Sequence, residues 1–245
     1  MYDRSPFATL LETAIVKKPQ PRRSETGYRE MLELMKRGGE YQLAGLELEV
    51  PRGVYPPRPG SSTEFFLRNW SAAGLNESAG SLLDLRTGSG ALALHAARRG
   101  WHVTGSDIDP QAVNAARRNA RNNRLEVDFV CSDLFEAFEH CRFDAITFTP
   151  PFVPKPAAVQ SGARALAPVH GELTRRLLDQ ASQFLRPGGK LVFSYSNCSD
   201  DRLLDRDDWT FELVACDYEA LGQSWRALLV ATPNLGKKSC KSSIK

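Results

Sequence analysis

Residues 82–90 read Leu-Leu-Asp-Leu-Arg-Thr-Gly-Ser-Gly, an apolar stretch that runs into a tight glycine turn. A helical stretch follows at once with Ala91-Leu92-Ala93-Leu94-His95. A second apolar segment, Trp101–Ser106, ends on Asp107, seventeen residues beyond Gly90. This order of strand, glycine turn, helix, strand and acidic residue is typical of adenosine-type cofactor sites. Glycine lets the backbone approach the ligand, and the carboxylate accepts from ribose hydroxyls.

The composition sets broad limits on the function. A length of 245 residues suits one α/β domain with a short extension, and a net charge of +3 neither requires nor excludes a polyanionic partner. The five cysteines form no Cys-x-x-Cys pair and have no histidine at metal-ligand spacing. We therefore predict no metal site and a reducing, cytoplasmic location. We also expect no signal peptide and no membrane span, because no apolar run approaches ~18 residues.

From residue 81 onward, strand-like and helix-like segments alternate, which is typical of a parallel sheet covered on both faces. The predicted strands are Ser81–Leu85, Trp101–Ser106, Glu126–Cys131, Asp144–Thr149 and Lys190–Tyr195. The predicted helices are Ala91–Arg99, Gln111–Asn122 and Gly171–Leu185. Two further strand-like segments, Asp208–Asp217 and Ser224–Thr232, are expected to pair antiparallel at one edge. The predicted fold is α/β, a doubly wound, mostly parallel seven-stranded sheet of the Rossmann-like kind.

The remaining segments define the domain organisation. Residues 1–40 are predicted to form a small helical extension, and residues 236–245 a disordered tail. Between them, residues 41–235 form the main domain, which begins with a hairpin arm in which Leu46, Leu48 and Val50 share one face. A proline-rich loop over residues 51–60 follows, and then a helix over Thr63–Trp70.

The glycine turn alone does not separate two cofactor classes. Gly88, Gly90 and Ala93 satisfy the Gly-x-Gly-x-x-Gly/Ala pattern of dinucleotide-dependent dehydrogenases. Asp84, four residues before Gly88, is unusual for that class because a carboxylate repels a pyrophosphate. The same carboxylate attracts the ammonium group of S-adenosylmethionine. The acid at this position therefore favours S-adenosylmethionine.

Four motifs in order carry a family resemblance. Asp84–Leu94 resembles motif I of class I S-adenosylmethionine-dependent methyltransferases, and Asp107–Val113 resembles motif II of their HemK/PrmC-like (methyltransferase small domain) group. Ser132–Phe135 resembles the loop that holds the adenine, and Thr149–Phe152 lies where that group has Asn-Pro-Pro-Tyr. Residues 45–64 resemble the hairpin and the Pro-Arg-Pro segment of the same group. The resemblance covers about residues 41–196 and implies a methyltransferase with a Rossmann-like fold.

The resemblance also implies how S-adenosylmethionine is held. The assigned residues are Asp84, Thr87, Gly88, Ser89 and Gly90 for the methionine part, Asp107 for the ribose hydroxyls, Ile108 and Leu134 for the two faces of the adenine, and Asp133 for its amino group. Taken alone, Asp107 could instead cap the next helix, and Asp133 could cap a turn.

Arg86 stands where many methyltransferases have glycine. A positive φ there would strain an arginine. We expect the loop to form with the Arg86 side chain in solvent; the alternative is a contact with the methionine carboxylate of the cofactor.

The sequence Thr149-Pro150-Pro151-Phe152 is expected to form the acceptor site at the carboxyl end of its strand. Neither proline has an N–H group, so the carbonyls of Thr149 and Pro150 are open to an acceptor N–H, and Phe152 can stack on a planar group. Thr149 offers a hydroxyl where the group has an asparagine amide. The alternative is that these residues form only a rigid strand exit.

Three further features near the acceptor site are candidates. Residues 152–168 have little periodicity, and we predict that they form a lid. His170 is a possible general base, although a residue at a helix start is the more common role. Glu64 is a candidate acceptor contact.

The sequence leaves four functions open. We expect first a methyltransferase acting on a nitrogen or oxygen of a small-molecule acceptor, because Thr149 replaces the asparagine and the net charge is modest. The alternative is a protein acceptor, a release-factor-type glutamine. A base of RNA or DNA is a third, for which the sequence shows no clear basic face. A fourth is a binding protein that has lost the transfer reaction.

Overall fold

The computed structural model describes residues 32–76, 79–150, 171–196, 201–218 and 225–234. Its elements are β1 (Gly39–Leu43), β2 (Leu46–Val50), α1 (Ser62–Arg68), β3 (Ser81–Leu85), α2 (Ala91–Ala97), β4 (His102–Asp107), α3 (Pro110–Asn122), β5 (Asp128–Cys131), β6 (Phe143–Phe148), α4 (Glu172–Gln180), β7 (Leu185–Ser196), β8 (Trp209–Tyr218) and β9 (Trp225–Pro233). Residues 32–37 are also helical. The predicted helices before residue 32, the predicted lid and the predicted tail lie outside the described residues.

The main sheet has seven strands in the order β5-β4-β3-β6-β7-β9-β8. Strands β3 to β7 are parallel, whereas β9 runs antiparallel to both β7 and β8. The predicted doubly wound, mostly parallel sheet with an antiparallel edge pair is confirmed. The strand order reverses between β3 and β6, so the crevice at their carboxyl ends is where this architecture binds ligands.

Two hydrophobic clusters cover the two faces of the sheet. One contains Phe66 and Trp70 with Leu82 of β3, and the other contains Leu83 of β3 with Phe148 of β6. Neighbouring residues of β3 enter opposite clusters because successive side chains of a strand point to opposite faces. The long apolar runs in these strands reflect burial on both sides.

The β1–β2 hairpin forms a sheet of its own and lies against α3. Alternate residues of β2 are buried, as predicted for Leu46, Leu48 and Val50. On α3, Asn119 accepts from the N–H of Glu49 and donates to its carbonyl, at 2.9 and 3.0 Å. These bonds take the place of those that a third strand would form with β2. The side-chain amide of Asn119 therefore pairs with the backbone at this edge of the hairpin.

One predicted helix was too long. The predicted helix Gly171–Leu185 ends at Gln180, continues as the 3-10 helix Ala181–Phe184, and gives way to β7 at Leu185. The register between β6 and β7 shifts between Phe143 and Ala145, which accommodates the segment before Lys190. Arg186-Pro187-Gly188-Gly189 therefore lies inside the bulged strand β7, after the helix has ended, and not in a separate loop.

None of the helices in the described ranges combines the length and hydrophobicity of a membrane span. In the same part of the chain, no group of three or more histidine, cysteine or carboxylate side chains is arranged to hold a metal ion.

Candidate active site

The glycine turn between β3 and α2 lies at the reversal of the strand order. The N–H of Gly90 donates to the carbonyl of Thr87 at 2.9 Å and closes the turn. Gly90 has φ of 88°, in the left-handed region, and a Cβ there would lie 3.1 Å from Cβ of Ala116 on α3. Glycine is therefore needed both for the turn and for the close approach of α3.

Asp84, on the strand that precedes the turn, stabilises it through hydrogen bonds. Its carboxylate is buried and accepts from the hydroxyls of Thr87 and Thr147 at 2.6 and 2.7 Å, and from the backbone N–H of Ala93. Burial raises the pKa of Asp84 to about 6, against the opposing effect of these hydrogen bonds. The position of Asp84 behind the turn means that it fixes the backbone of Thr87–Gly90. Its predicted contact with the methionine part of a cofactor stays a prediction.

Asp107 ends β4 directly beside the turn. Its carboxylate accepts from the N–H of Gly88 at 3.0 Å and from the N–H of Asp109 at 3.1 Å. The cap of α3 is Asp109, whose side chain accepts from the N–H of Gln111 at 2.9 Å. The alternative role of Asp107 as the helix cap is therefore wrong. A carboxylate has about four acceptor sites, so Asp107 retains capacity for ligand hydroxyls.

Ile108 follows Asp107, and its side chain is 43% exposed. No other large hydrophobic side chain in the described ranges is exposed. A β-branched apolar side chain left open beside a carboxylate offers one face to a flat apolar ring. This is the position at which the sequence predicts the adenine.

Leu134, the second residue predicted to contact the adenine, is buried, whereas Ile108 is exposed. Leu134 has φ of 49° and its side chain is 2% exposed, inside the hydrophobic cluster with Phe135 and Phe138. The Leu134 side chain is therefore packed in the core, and its predicted contact with the other face of the adenine stays a prediction.

Asp133 lies at the cleft, in an ion pair with Arg176 of α4 at 3.0 Å. Both side chains are 29% exposed, so the pair is partly shielded from solvent. One carboxylate oxygen is used in this pair, and the group keeps further acceptor capacity. Its side chain therefore does not serve as a simple turn cap.

Arg86 is half-buried and has φ of 56°. Burial lowers the pKa of its guanidinium, whereas the charges of Asp107, Asp133 and Asp109 raise it. The expectation that the side chain lies in solvent was wrong: it lies in the field of the three carboxylates that surround the cleft. The attraction of these groups reduces the cost of burying the guanidinium, and the left-handed backbone of the arginine costs about 1–2 kcal/mol in addition.

The acceptor end of the site follows β6. Pro150 is buried, and Oγ1 of Thr149 is buried with no hydrogen-bond partner among the described residues. Ser194 of β7 follows Phe193, the partner of Phe148 in the sheet, and its buried Oγ likewise has no partner within the described ranges. Buried hydroxyls are almost always bonded, so these two groups are available to a ligand, a water or a residue outside the described ranges. Pro151, Phe152 and His170 lie outside the described residues.

Glu64 has a structural role in the part of the chain described. Its side chain accepts from the N–H of Gly60 at 2.7 Å, while its own N–H donates to the cap residue Ser61 at 3.2 Å. The carbonyl of Gly60 in turn accepts from the buried guanidinium of Arg226 at 2.9 Å. Glu64 therefore fixes the start of α1, and its role as an acceptor contact has no support in this geometry.

Sequence reasoning missed three residues that shape the site. Thr147 bonds Asp84, Arg176 bonds Asp133, and Asn119 donates to the carbonyl of Ser89 in the glycine turn at 2.9 Å. Asn119 is fully buried and also pairs with β2, so it ties the turn to the hairpin. The alternation of β6 places Thr147 on the face of Asp84 and could have indicated the first of them.

Comparison with known families gives a match over most of the described core. The family model described as "Methyltransferase small domain" matches residues 53–205. This range contains the glycine turn, Asp107, Asp133 and the segment Thr149–Phe152.

Several curated proteins are similar to this chain. A release factor glutamine methyltransferase of Streptococcus pneumoniae is 32% identical over 165 residues, covering 62% of this chain and 58% of the relative. The enzyme of the same name from Koribacter versatilis is 31% identical over 191 residues, covering 72% and 68%. A ribosomal RNA small subunit methyltransferase C from Alcanivorax borkumensis is 30% identical over 112 residues, covering 46% and 31%. The match thus spans less than two thirds of the pneumococcal relative's length.

Among solved structures, a T. thermophilus 16S rRNA methyltransferase in complex with AdoMet and guanosine superposes with a TM-score of 0.64. The alignment covers 80% of this chain and 50% of that chain at 24% sequence identity. This likeness shows the same fold.

Proposed function

Because the chain belongs to the methyltransferase small domain family, in the HemK/PrmC-like group of class I S-adenosylmethionine-dependent methyltransferases, we propose that it methylates the side-chain amide nitrogen of a glutamine in a protein. The observation that carries the acceptor class is the similarity to release factor glutamine methyltransferases, which extends over 191 residues in one case. A small-molecule acceptor, which the sequence analysis placed first, has no support from the named relatives and is not proposed.

The described residues fit the cofactor. Asp107 has acceptor capacity beside the glycine turn for the two ribose hydroxyls, and exposed Ile108 offers an apolar face for the adenine. Asp133 is assigned to the adenine amino group, and the backbone of Thr87–Gly90, with Ser89, to the methionine part. S-adenosylmethionine supplies a methyl group on a sulfonium, an electrophile with a good leaving group, so the protein's main task is to position the acceptor.

At the acceptor end, Thr149 and Pro150 are assigned to the amide. The sequence assigns the carbonyls of these two residues to the amide N–H groups, because the prolines supply no N–H to the turn. The buried hydroxyl of Thr149 has no partner among the described residues and can accept from the same nitrogen or donate to the amide oxygen. Pro151 and Phe152 are assigned by the sequence alone, as a rigid turn and an aromatic wall.

Positioning of the amide has a chemical purpose. The lone pair of an amide nitrogen is delocalised into its carbonyl, so it must be held in line with the bond to be broken. A carbonyl that accepts the N–H supports the positive charge that develops on nitrogen as the methyl group arrives. In such a transfer the bond between sulfur and the methyl carbon would break as the nitrogen–carbon bond forms, S-adenosylhomocysteine would leave, and the nitrogen would give its proton to water.

A second candidate is an exocyclic amino group of a base in small-subunit ribosomal RNA. The observation that favours it is the match to a ribosomal RNA small subunit methyltransferase C, 30% identical over 112 residues. Such an amine is also planar and carries two N–H groups, so Thr149 and Pro150 would recognise it in the same way.

Methyl transfer to defined acceptors tests the proposal. The protein would be incubated with S-adenosylmethionine carrying a labelled methyl group, and with either a bacterial release factor or deproteinised small-subunit ribosomal RNA. Mass spectrometry would locate the label. Methylation of a glutamine in the release factor, slowed in Thr149→Val, supports the proposal. Label in the RNA alone supports the second candidate, and label in neither acceptor contradicts both.

A further inference from the structure

The ion pair between Asp133 and Arg176 joins two distant parts of the chain. Nη2 of Arg176, on α4, lies 3.0 Å from Oδ2 of Asp133, in the segment after β5, and 43 residues separate them in sequence. At 29% exposure on both sides, the pair is shielded more than a typical surface pair. The contact therefore constrains the Asp133 side chain at the edge of the cleft.

The neighbouring arginine shows that this contact is specific to Arg176. Arg175 is 50% exposed, and among the described residues its side chain bonds only to carboxylates of its own helix, Glu172 and Asp179, at 2.7 and 2.9 Å. Successive residues of a helix point in different directions, so Arg175 stays on the solvent side while Arg176 crosses to Asp133. The sequence pair Arg175-Arg176 thus contains one residue of the site and one of the surface.

We propose that Arg176 is a positioning residue of the adenine subsite, which holds Asp133 so that its remaining acceptor sites face the amino group of the adenine. This inference rests on the proposed function, which assigns Asp133 to that amino group. An arginine that occupies one carboxylate oxygen stops the side chain from rotating, and a ligand then binds a group that is already oriented.

The role predicts a selective effect on binding. Loss of Arg176 leaves Asp107, Ile108 and the glycine turn in place, so contacts to the ribose and the methionine part persist. Only the reading of the amino group at position 6 of the purine should weaken. A purine with a 6-oxo group places an acceptor opposite the carboxylate, so the ratio of affinities between 6-amino and 6-oxo ligands reports on Asp133.

The test is isothermal titration of the full chain with S-adenosylhomocysteine and with S-inosylhomocysteine, its 6-oxo analogue. We expect the wild-type protein to prefer the amino ligand by about tenfold or more. Arg176→Gln and Arg176→Met should each reduce this ratio by about fivefold. Arg176→Lys should restore part of it, because the charge returns. Arg175→Gln, the matched control on the same helix, should keep the wild-type ratio.

The outcomes separate this inference from the proposed function. If Asp133→Asn keeps the wild-type ratio, the assignment of Asp133 to the adenine is wrong. If Asp133→Asn abolishes the preference while the Arg176 variants retain it, the inference alone is overturned. Equal weakening of both ligands in the Arg176 variants would also overturn it, because a purely structural residue acts that way. Either Arg176→Gln or Arg176→Met suffices, should the other fail to fold by circular dichroism.

Discussion

The carboxylate of Asp107 accepts a hydrogen bond from the backbone N–H of Gly88 at 3.0 Å, which joins the end of β4 to the glycine turn after β3. This contact sets the distance between the two structures that the proposed function assigns to the cofactor. The same carboxylate keeps acceptor capacity for a ligand. Asp107 therefore has both a structural and a binding role, and the two can be separated by experiment.

Asp107→Ala should lower the affinity for S-adenosylhomocysteine by about tenfold or more, because the ribose hydroxyls lose a charged acceptor. Isothermal titration measures this change. Asp109→Ala is the control: it removes the cap of α3, at about 1 kcal/mol of stability, but leaves Asp107 in place. An Asp107→Ala protein with wild-type affinity would remove the ribose assignment.

The buried carboxylate of Asp84 predicts an unusual pH dependence of stability. Burial raises its folded-state pKa to about 6, above the value of 3.8 expected when it is exposed. The stabilisation is therefore complete below pH 4 and is lost as the pH rises through 6, a change of about 3 kcal/mol. Compared with the wild type, Asp84→Asn should lack this decline. Urea unfolding between pH 4 and 7 checks it, and a constant difference between the two proteins would contradict the prediction.

His95 should make the stability depend on pH in the opposite direction. Burial, with the nearby charges of Arg99 and Arg98, lowers its pKa from 6.5 to about 4. Its contribution to stability is complete above pH 6.5 and is lost as the pH falls toward 4. His95→Gln should therefore gain stability relative to the wild type as the pH falls from 6.5 toward 4. Between pH 4 and 6, Asp84 and His95 change the free energy of unfolding in opposite directions. Their combined contribution in the wild type should therefore depend little on pH. Parallel wild-type and His95→Gln curves would show that His95 does not titrate as described.

The hydroxyl of Thr149 is predicted to act in methyl transfer and not in cofactor binding. Thr149→Val keeps the shape and removes the hydroxyl, so the single-turnover rate should fall by roughly five- to thirtyfold, the worth of one hydrogen bond in the transition state. Thr149→Ser retains the hydroxyl and should stay near the wild-type rate. Affinity for S-adenosylhomocysteine should be unchanged in both. Equal rates for the valine and serine variants would exclude a role for the hydroxyl.

Close packing beneath the cofactor site makes Gly105 of β4 intolerant of a side chain. A Cβ there would lie 2.6 Å from the ring of Phe129 and 3.1 Å from Oγ1 of Thr87. Gly105→Ala should therefore destabilise the protein by about 1–3 kcal/mol, measured by urea unfolding. Phe129→Leu makes room, so the double variant should be less destabilised than the sum of the two single variants. Simple additivity would show that the ring is not what opposes the new methyl group.

Local patterns in the sequence predicted the frame of the molecule. The glycine turn required a backbone conformation that few residues adopt, and the alternation of Leu46, Leu48 and Val50 reported a buried face. Asp107 could be placed at a strand end because the carboxyl ends of parallel strands meet at one edge. These features depend on residues that are close together in sequence, so they can be predicted before the fold is known.

Contacts between distant segments could not be predicted in the same way. Arg176 reaches Asp133 across 43 residues, and nothing in its local sequence distinguishes it from its neighbour Arg175. The inward direction of Leu134 depends on a φ of 49° that no residue type there indicated. The partly buried position of Arg86 could not be predicted either. The three carboxylates that attract its guanidinium come together only when the strand ends are assembled in the fold.

The most direct measurement is a crystal structure of the protein soaked with S-adenosylhomocysteine. We expect both ribose hydroxyls at hydrogen-bond distance from Asp107, the adenine on Ile108 with its amino group at Asp133, and the sulfur facing Thr149 and Pro150. A nucleoside bound away from Asp107, or with its sulfur directed away from Thr149, would contradict the central claim.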